Sequence, residues 1–168
     1  MPKIILKINK NDDNLFKNND ICCYIVDSRL ESAKIKQVTA TEKMVLVMGK
    51  DAESCYKKYN LDGVVVEIDP KLPVKKQLKP WREMLARKTL GAIIPPRRHE
   101  AMLASETEPE FVAFNTENPE EASELIDWYN ELFLLPLAVW VKQKNIDITK
   151  INCDFVIIDA EKFENSGC

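Results

Sequence analysis

At 168 residues, 45% of them hydrophobic and 30% charged, the chain can bury one sizeable core and is too apolar to stay disordered. Its 24 basic and 27 acidic side chains give a formal charge of −3 and are mixed along the chain, so no basic block points to a nucleic-acid groove. No window reaches the ~18 uncharged apolar residues of a membrane span, and the charged start MPKIILKIN lacks a long apolar signal core, so the expectation is one cytoplasmic domain over 1–168.

The first apolar run, Ile4 to Ile8, reads as a strand, and the polar stretch NKNDDNLFKNND after it is too rich in Asn and Asp for a good helix. Leu15 and Phe16 are the only apolar residues there, placed to cover one end of a sheet. Ile21 to Val26 is the second strand, followed by a short helix carrying Leu30, Ala33 and Val38 on one side. After the third strand, Met44 to Met48, DAESCYKKYN sets Ala52, Cys55, Tyr56 and Tyr59 on one helical face with Asp51 as a cap.

Asp62-Gly63 turns the chain into the fourth strand, Val64 to Ile68. The three prolines of DPKLPVKKQLKP argue against one helix across it, and Pro80 suits the first position of a helix over WREMLARK. The fifth and sixth strands are Leu90 to Ile94 and Phe111 to Phe114. The strongest helix pattern has Asn118 as N-cap, Pro119 at its first position, and the stripe Ala122, Leu125, Ile126, Tyr129 and Phe133. Pro136 to Val141 is the seventh strand, KNIDITKIN leaves room for one turn, and Phe155 to Ile158 is the eighth, with a tail too short for a full closing helix.

Runs such as VVVEI, AVWV and FVII lack in/out alternation, so they read as strands covered on both faces, as in a parallel sheet. Eight strand-plus-crossover repeats predict a compact (β/α)8 TIM-like barrel. A barrel of this kind usually takes about 250 residues, so the helices must be abbreviated. An open doubly wound parallel sheet is the alternative, and pairing of Ile4 to Ile8 with Phe155 to Ile158 separates the two.

Cys22, Cys23, Cys55, Cys153 and Cys168 show no metal or redox spacing and read as small hydrophobes in a reducing compartment. A barrel keeps its chemistry at the strand C-termini, where this chain offers Asp27, Ser28, Arg29, Lys50, Glu67, Asp69, Arg97, Arg98, Lys142, Lys144 and Asp159. A solvated rim explains such a set; within it, Arg29, Lys50, Arg97 and Arg98 are the candidates for binding an anion or phosphate, since guanidinium forks match phosphate geometry. The single histidine, His99, reads as a helix-end residue in preference to a general base.

The segment LGAIIPPRRHEAMLASETEPEFVAFN, through Arg98-His99-Glu100-Ala101-Met102 and Glu110-Phe111-Val112-Ala113-Phe114, resembles the thiamine phosphate synthase family. LDGVVVEID, LPLAVWV and NCDFVIIDA fall in the order of its fourth, seventh and eighth strands. The resemblance implies a transferase of thiamine biosynthesis that joins a pyrimidine diphosphate to a thiazole phosphate with Mg²⁺, and hence a phosphorylated small molecule as ligand. Against that pattern, Met48-Gly49-Lys50 replaces a metal-binding acid and leaves Asp69 as the one candidate metal ligand. The Gly-rich phosphate loop is missing where Phe114 runs into NTENPEE, and Trp140 and Asp159 stand where phosphate would rest. The related thiazole tautomerases use a histidine where this chain has Asn115 and Thr116.

The expectation is therefore a diverged member lacking that activity, a pseudoenzyme. Two alternatives stand beside it: an active Mg²⁺-dependent C–N bond-forming transferase with a rearranged site, or a non-catalytic interaction module. In the last, thin helices would expose apolar barrel flank and favour a homo-oligomer.

Overall fold

A computed structural model describes residues 1–163. Eight strands, β1 (Lys3–Ile8), β2 (Ile21–Asp27), β3 (Met44–Met48), β4 (Gly63–Glu67), β5 (Thr89–Ile94), β6 (Phe111–Asn115), β7 (Leu137–Val141) and β8 (Phe155–Asp159), form a closed parallel barrel in sequence order. β1 pairs with β8 from Lys3↔Phe155 to Lys7↔Asp159, which removes the open-sheet alternative.

Alternation along each strand divides the core in two. Leu6, Tyr24, Val45, Val64, Ala92, Phe114, Val139 and Val156 face outward to the helices, while Ile5, Ile25, Leu46, Val65, Ile93, Ala113, Ala138 and Ile157 fill the interior. The N-terminal end is plugged by Phe111 and Phe155, whose rings lie 6.4 Å apart. Gly91 makes room for that plug, since a Cβ there would sit 2.2 Å from the Phe111 ring.

A repeated device secures this end. The carboxylate just before an even strand accepts the N–H at the start of the preceding odd strand: Asp62 from Val45 at 2.8 Å, Glu110 from Leu90 at 2.9 Å and Asp154 from Leu137 at 2.9 Å. Each bond satisfies a donor that the ladder leaves over. Arg82 then clamps Glu110 at 2.7 Å and takes the carbonyls of Ala86 and Lys88.

Five helices cover the outside: α1 (Ser32–Thr39), α2 (Ala52–Lys58), α3 (Val74–Leu85), α4 (Arg98–Ser105) and α5 (Ser123–Leu132). Two differ from the sequence expectation. α3 begins at Val74 and runs through Pro80, which is exposed; the buried Val74, Leu78 and Leu85 hold the helix on both sides of the proline. α5 begins later than Asn118, because the Asn118 Oδ1 accepts from the Glu120 N–H at 3.0 Å and forms a separate turn before the helix.

No helix links β1 to β2, and the chain between β7 and β8 makes only a single 3-10 turn, Ile148–Lys150. Loops take over the missing cover. Tyr24 donates its hydroxyl to the Leu15 carbonyl at 2.8 Å, Phe16 meets Phe163 edge-on at 4.9 Å, and Ile146, Ile148 and Ile151 pack over the β7–β8 side. Beneath them Leu6, Ile8, Val156 and Ile158 are all buried. Among the described residues, the apolar flank that the helices leave without cover is thus buried under this chain's own loops.

Replacing Phe16 with alanine removes its edge-on contact with Phe163 and is expected to cost about 2 kcal/mol, read as a lower denaturation midpoint with an unchanged slope. An unchanged midpoint would show that the loop adds no stability to the flank.

Candidate functional site

Since Ile5, Ile25, Ala113, Ala138 and Ile157 point into the barrel, the residues two places further on do so at its C-terminal mouth. These are Lys7, Asp27, Asn115, Trp140 and Asp159, with Met48 and Glu67 from β3 and β4. An otherwise apolar interior thus ends in a polar layer. Lys7 and Asp159 are register partners on β1 and β8, and Asn115 and Trp140 are partners on β6 and β7.

Lys7 is 8% exposed; its ammonium donates to the Asn9 Oδ1 and lies 5.3 Å from the centre of the Trp140 ring. The Lys142 ammonium lies 4.9 Å from the same ring, so two cations fix the indole. Asn9 is held in turn, because the buried Asp13 carboxylate accepts its N–H at 2.9 Å and that of Lys10 at 3.0 Å. Lys34 donates to the Asp13 carbonyl, which ties the loop to α1.

Three consecutive strands bring unsatisfied atoms to this layer. Asn115 Oδ1, Trp140 Nε1 and Asp159 Oδ1 are buried and have no hydrogen-bond partner among the described residues. Asp159 itself is only 9% exposed. Three other such atoms lie apart from this trio: Glu100 Oε2 and Tyr129 OH on the helices, and Ser28 Oγ, packed where a Cβ on Gly49 would come within 2.3 Å. Gly49 also has φ +125°, which a side chain rarely adopts. Burial pushes the Tyr129 hydroxyl up to about 12, tempered by Ser105 beside it.

Three of the four anion candidates are engaged by neighbouring side chains. Arg29 grips Asp27 through Nε at 3.1 Å and Nη2 at 3.0 Å; Arg97 pairs with the buried Glu100 at 2.7 Å. Arg98 stacks on Trp128 of α5 at 5.1 Å. Lys50 and His99 are exposed, and no two of the three arginines share a partner. Asp69, the metal candidate, organises a turn: it accepts from the Lys71 N–H at 2.9 Å, and its backbone is clasped by Gln77. Among the described residues no three His, Cys, Asp or Glu side chains group to hold a metal ion.

Missing from the sequence reading as a site residue was Lys7, although of the two lysines of KIILKI at the inward parity it is the one at the strand's C-terminal end, which was the available signal. Asn115 and Trp140 had been noted only as replacements of other residues, whereas the structure joins them to Asp159 in one layer.

Burial opposes the Asp27 charge, but the hydrogen bonds from Arg29, the Arg29 charge and the nearby Lys7 ammonium outweigh it and hold the carboxyl below its ordinary value. Burial pushes the thiols of Cys22, Cys23 and Cys55 up, and that of Cys153 to about 12, so these four free cysteines are poor nucleophiles. Cys168 and Gly167 lie outside the described residues.

No family model matches the chain. No curated protein matches it either. Three solved structures of tryptophan synthase from M. tuberculosis do. An open form is 13% identical over 95% of this chain and 83% of that chain, with TM-score 0.67. An aminoacrylate-bound form is 12% identical over 95% and 82%, with TM-score 0.68, and a ligand-free TrpA mutant is 13% identical over 95% and 83%, with TM-score 0.66. At that identity the likeness shows the fold, a TIM barrel, and nothing of activity.

These findings overturn the resemblance to the thiamine phosphate synthase family: the structural neighbours are tryptophan synthase chains. RRHEAM and EFVAF, which carried the resemblance, are the start of α4 and the strand β6, segments any (β/α)8 barrel needs. No described helix is long and apolar enough to cross a membrane.

Because the Asp27 carboxyl is held low in the folded state, its ion pair contributes stability above the unfolded value of about 3.9 and loses it as pH falls through the depressed folded value. The stability gap between the parent and Asp27→Asn should be flat from neutral pH down to about pH 5 and narrow below about pH 4. A gap that widens on acidification would contradict the assignment.

Proposed function

We propose that this protein is a small-molecule-binding barrel whose ligand sits at the C-terminal mouth, among Lys7, Asn115, Trp140 and Asp159. One observation carries the reading: three adjacent strands end in buried polar atoms with no partner in the described chain. A buried polar group left unpaired costs about 1–3 kcal/mol, and native proteins keep such groups chiefly where function uses them. They stand at the end of the barrel where (β/α)8 proteins place their sites, while the opposite end is plugged by phenylalanine.

The arginines, engaged by Asp27, Glu100 and Trp128, favour this reading over a transfer of phosphorylated substrates. Four free cysteines, two of them fully buried, support a reducing compartment such as the cytoplasm.

If these polar atoms serve a ligand, they reduce the stability of the empty barrel. Asn115→Leu, close in size and free of the unpaired acceptor, is expected to stabilise by about 1 kcal/mol in chemical denaturation. A loss of stability of that size would show that Asn115 is part of the structural framework and would defeat the reading.

A further inference from the structure

We propose that the mouth takes a neutral polyhydroxylated molecule. One hydroxyl accepts from the Trp140 Nε1–H and donates to the Asn115 Oδ1, and a second hydroxyl donates to the Asp159 Oδ1. The inference rests on the mouth being a binding site and names what it binds.

The unpaired atoms select the chemistry. They comprise one donor and two acceptors, and Asn115 and Trp140 are register partners on adjacent strands. A hydroxyl is the small group that accepts and donates at once, so it can serve both members of that pair. Asp159, 9% exposed, is separated from Trp140 by one strand step, since Trp140 pairs with Ile157 two residues before it. Two residues along and one strand across is about 8 Å between backbones, which calls for a second hydroxyl further along the carbon chain.

Other ligand classes meet opposition. A phosphate or carboxylate would face the inward acids Asp27, Glu67 and Asp159 with one inward lysine, already donating to Asn9. The arginines that could offset this are held by Asp27, Glu100 and Trp128. An ammonium ligand could serve the two acceptors. It would leave the indole N–H without an acceptor, and it would enter beside two lysine ammoniums, 5.3 and 4.9 Å from the Trp140 ring. The same lysines sit on the indole ring, so the ligand engages tryptophan through its N–H edge and not by stacking on a free face.

The test is the indole N–H region of the ¹H–¹⁵N spectrum. Three tryptophans, Trp81, Trp128 and Trp140, give three cross-peaks, and Trp140→Phe identifies the one in the mouth. The protein is titrated with glycerol, erythritol, D-ribose, D-glucose and myo-inositol, with D-ribose 5-phosphate and putrescine as charged comparisons. At least one neutral polyol should shift the Trp140 peak saturably and downfield, as a new acceptor does, leaving Trp81 in place. Asn115→Leu and Asp159→Asn should each weaken it by roughly tenfold, with the other indole peaks confirming an intact fold.

A saturable shift from ribose 5-phosphate or putrescine but from no neutral polyol would leave the mouth as a site and overturn the polyol assignment. A polyol shift indifferent to both substitutions would also overturn it. If no probe of any class moves the Trp140 peak, the binding reading itself falls together with this one.

Discussion

Closure of β1 on β8 is the constraint on which everything else depends. Five register pairs, from Lys3↔Phe155 to Lys7↔Asp159, turn eight short strands into a ring with no edge. The ring forces each strand to be buried on both sides, which is why the runs are rich in Ile, Val and Leu without alternation of polarity. It also fixes which residues point inward, so a lysine at the end of the first strand lies beside an aspartate at the end of the last.

A barrel this short has little material for its outer layer, and the structure shows where it economises. Helices cover the stretch from β2 to β6, where α1 to α5 supply buried residues such as Val38, Leu78 and Tyr129. On the β7–β8–β1 side, loops replace them, with Phe16, Phe163 and three isoleucines lying over Leu6, Ile8 and Ile158. Carboxylates ahead of β4, β6 and β8 strengthen the N-terminal end, where a helical layer cannot. The stable end is thus built from satisfied polar groups and aromatic packing, and the mouth holds three of the six unsatisfied ones among the described residues.

The strands were legible in the sequence because burial on both faces leaves a continuous apolar run. Ile4 to Ile8 and Phe155 to Ile158 fall within a residue of the observed β1 and β8. Helix limits were less so. Pro80 was read as a start, but three buried side chains outweigh one lost backbone bond, and Asn118 capped a turn and not the helix. The site was legible only in part: Asp27 and Asp159 were placed at the strand ends, yet Lys7 was missed. The guanidiniums looked free, since a sequence does not show that Arg29 folds back on Asp27 or that Arg98 lies over Trp128. The local likeness to thiamine phosphate synthase misled for a related reason, because strand, turn and helix recur in every barrel of this class.

The central claim is that Asn115 Oδ1, Trp140 Nε1 and Asp159 Oδ1 are kept for something outside the chain. A high-resolution crystal structure of the protein soaked with a neutral polyol measures this most directly. The account predicts density at the mouth with one hydroxyl in hydrogen-bonding reach of both Trp140 Nε1 and Asn115 Oδ1. A structure in which the three atoms are satisfied by the protein itself, with the mouth closed over them, would contradict it.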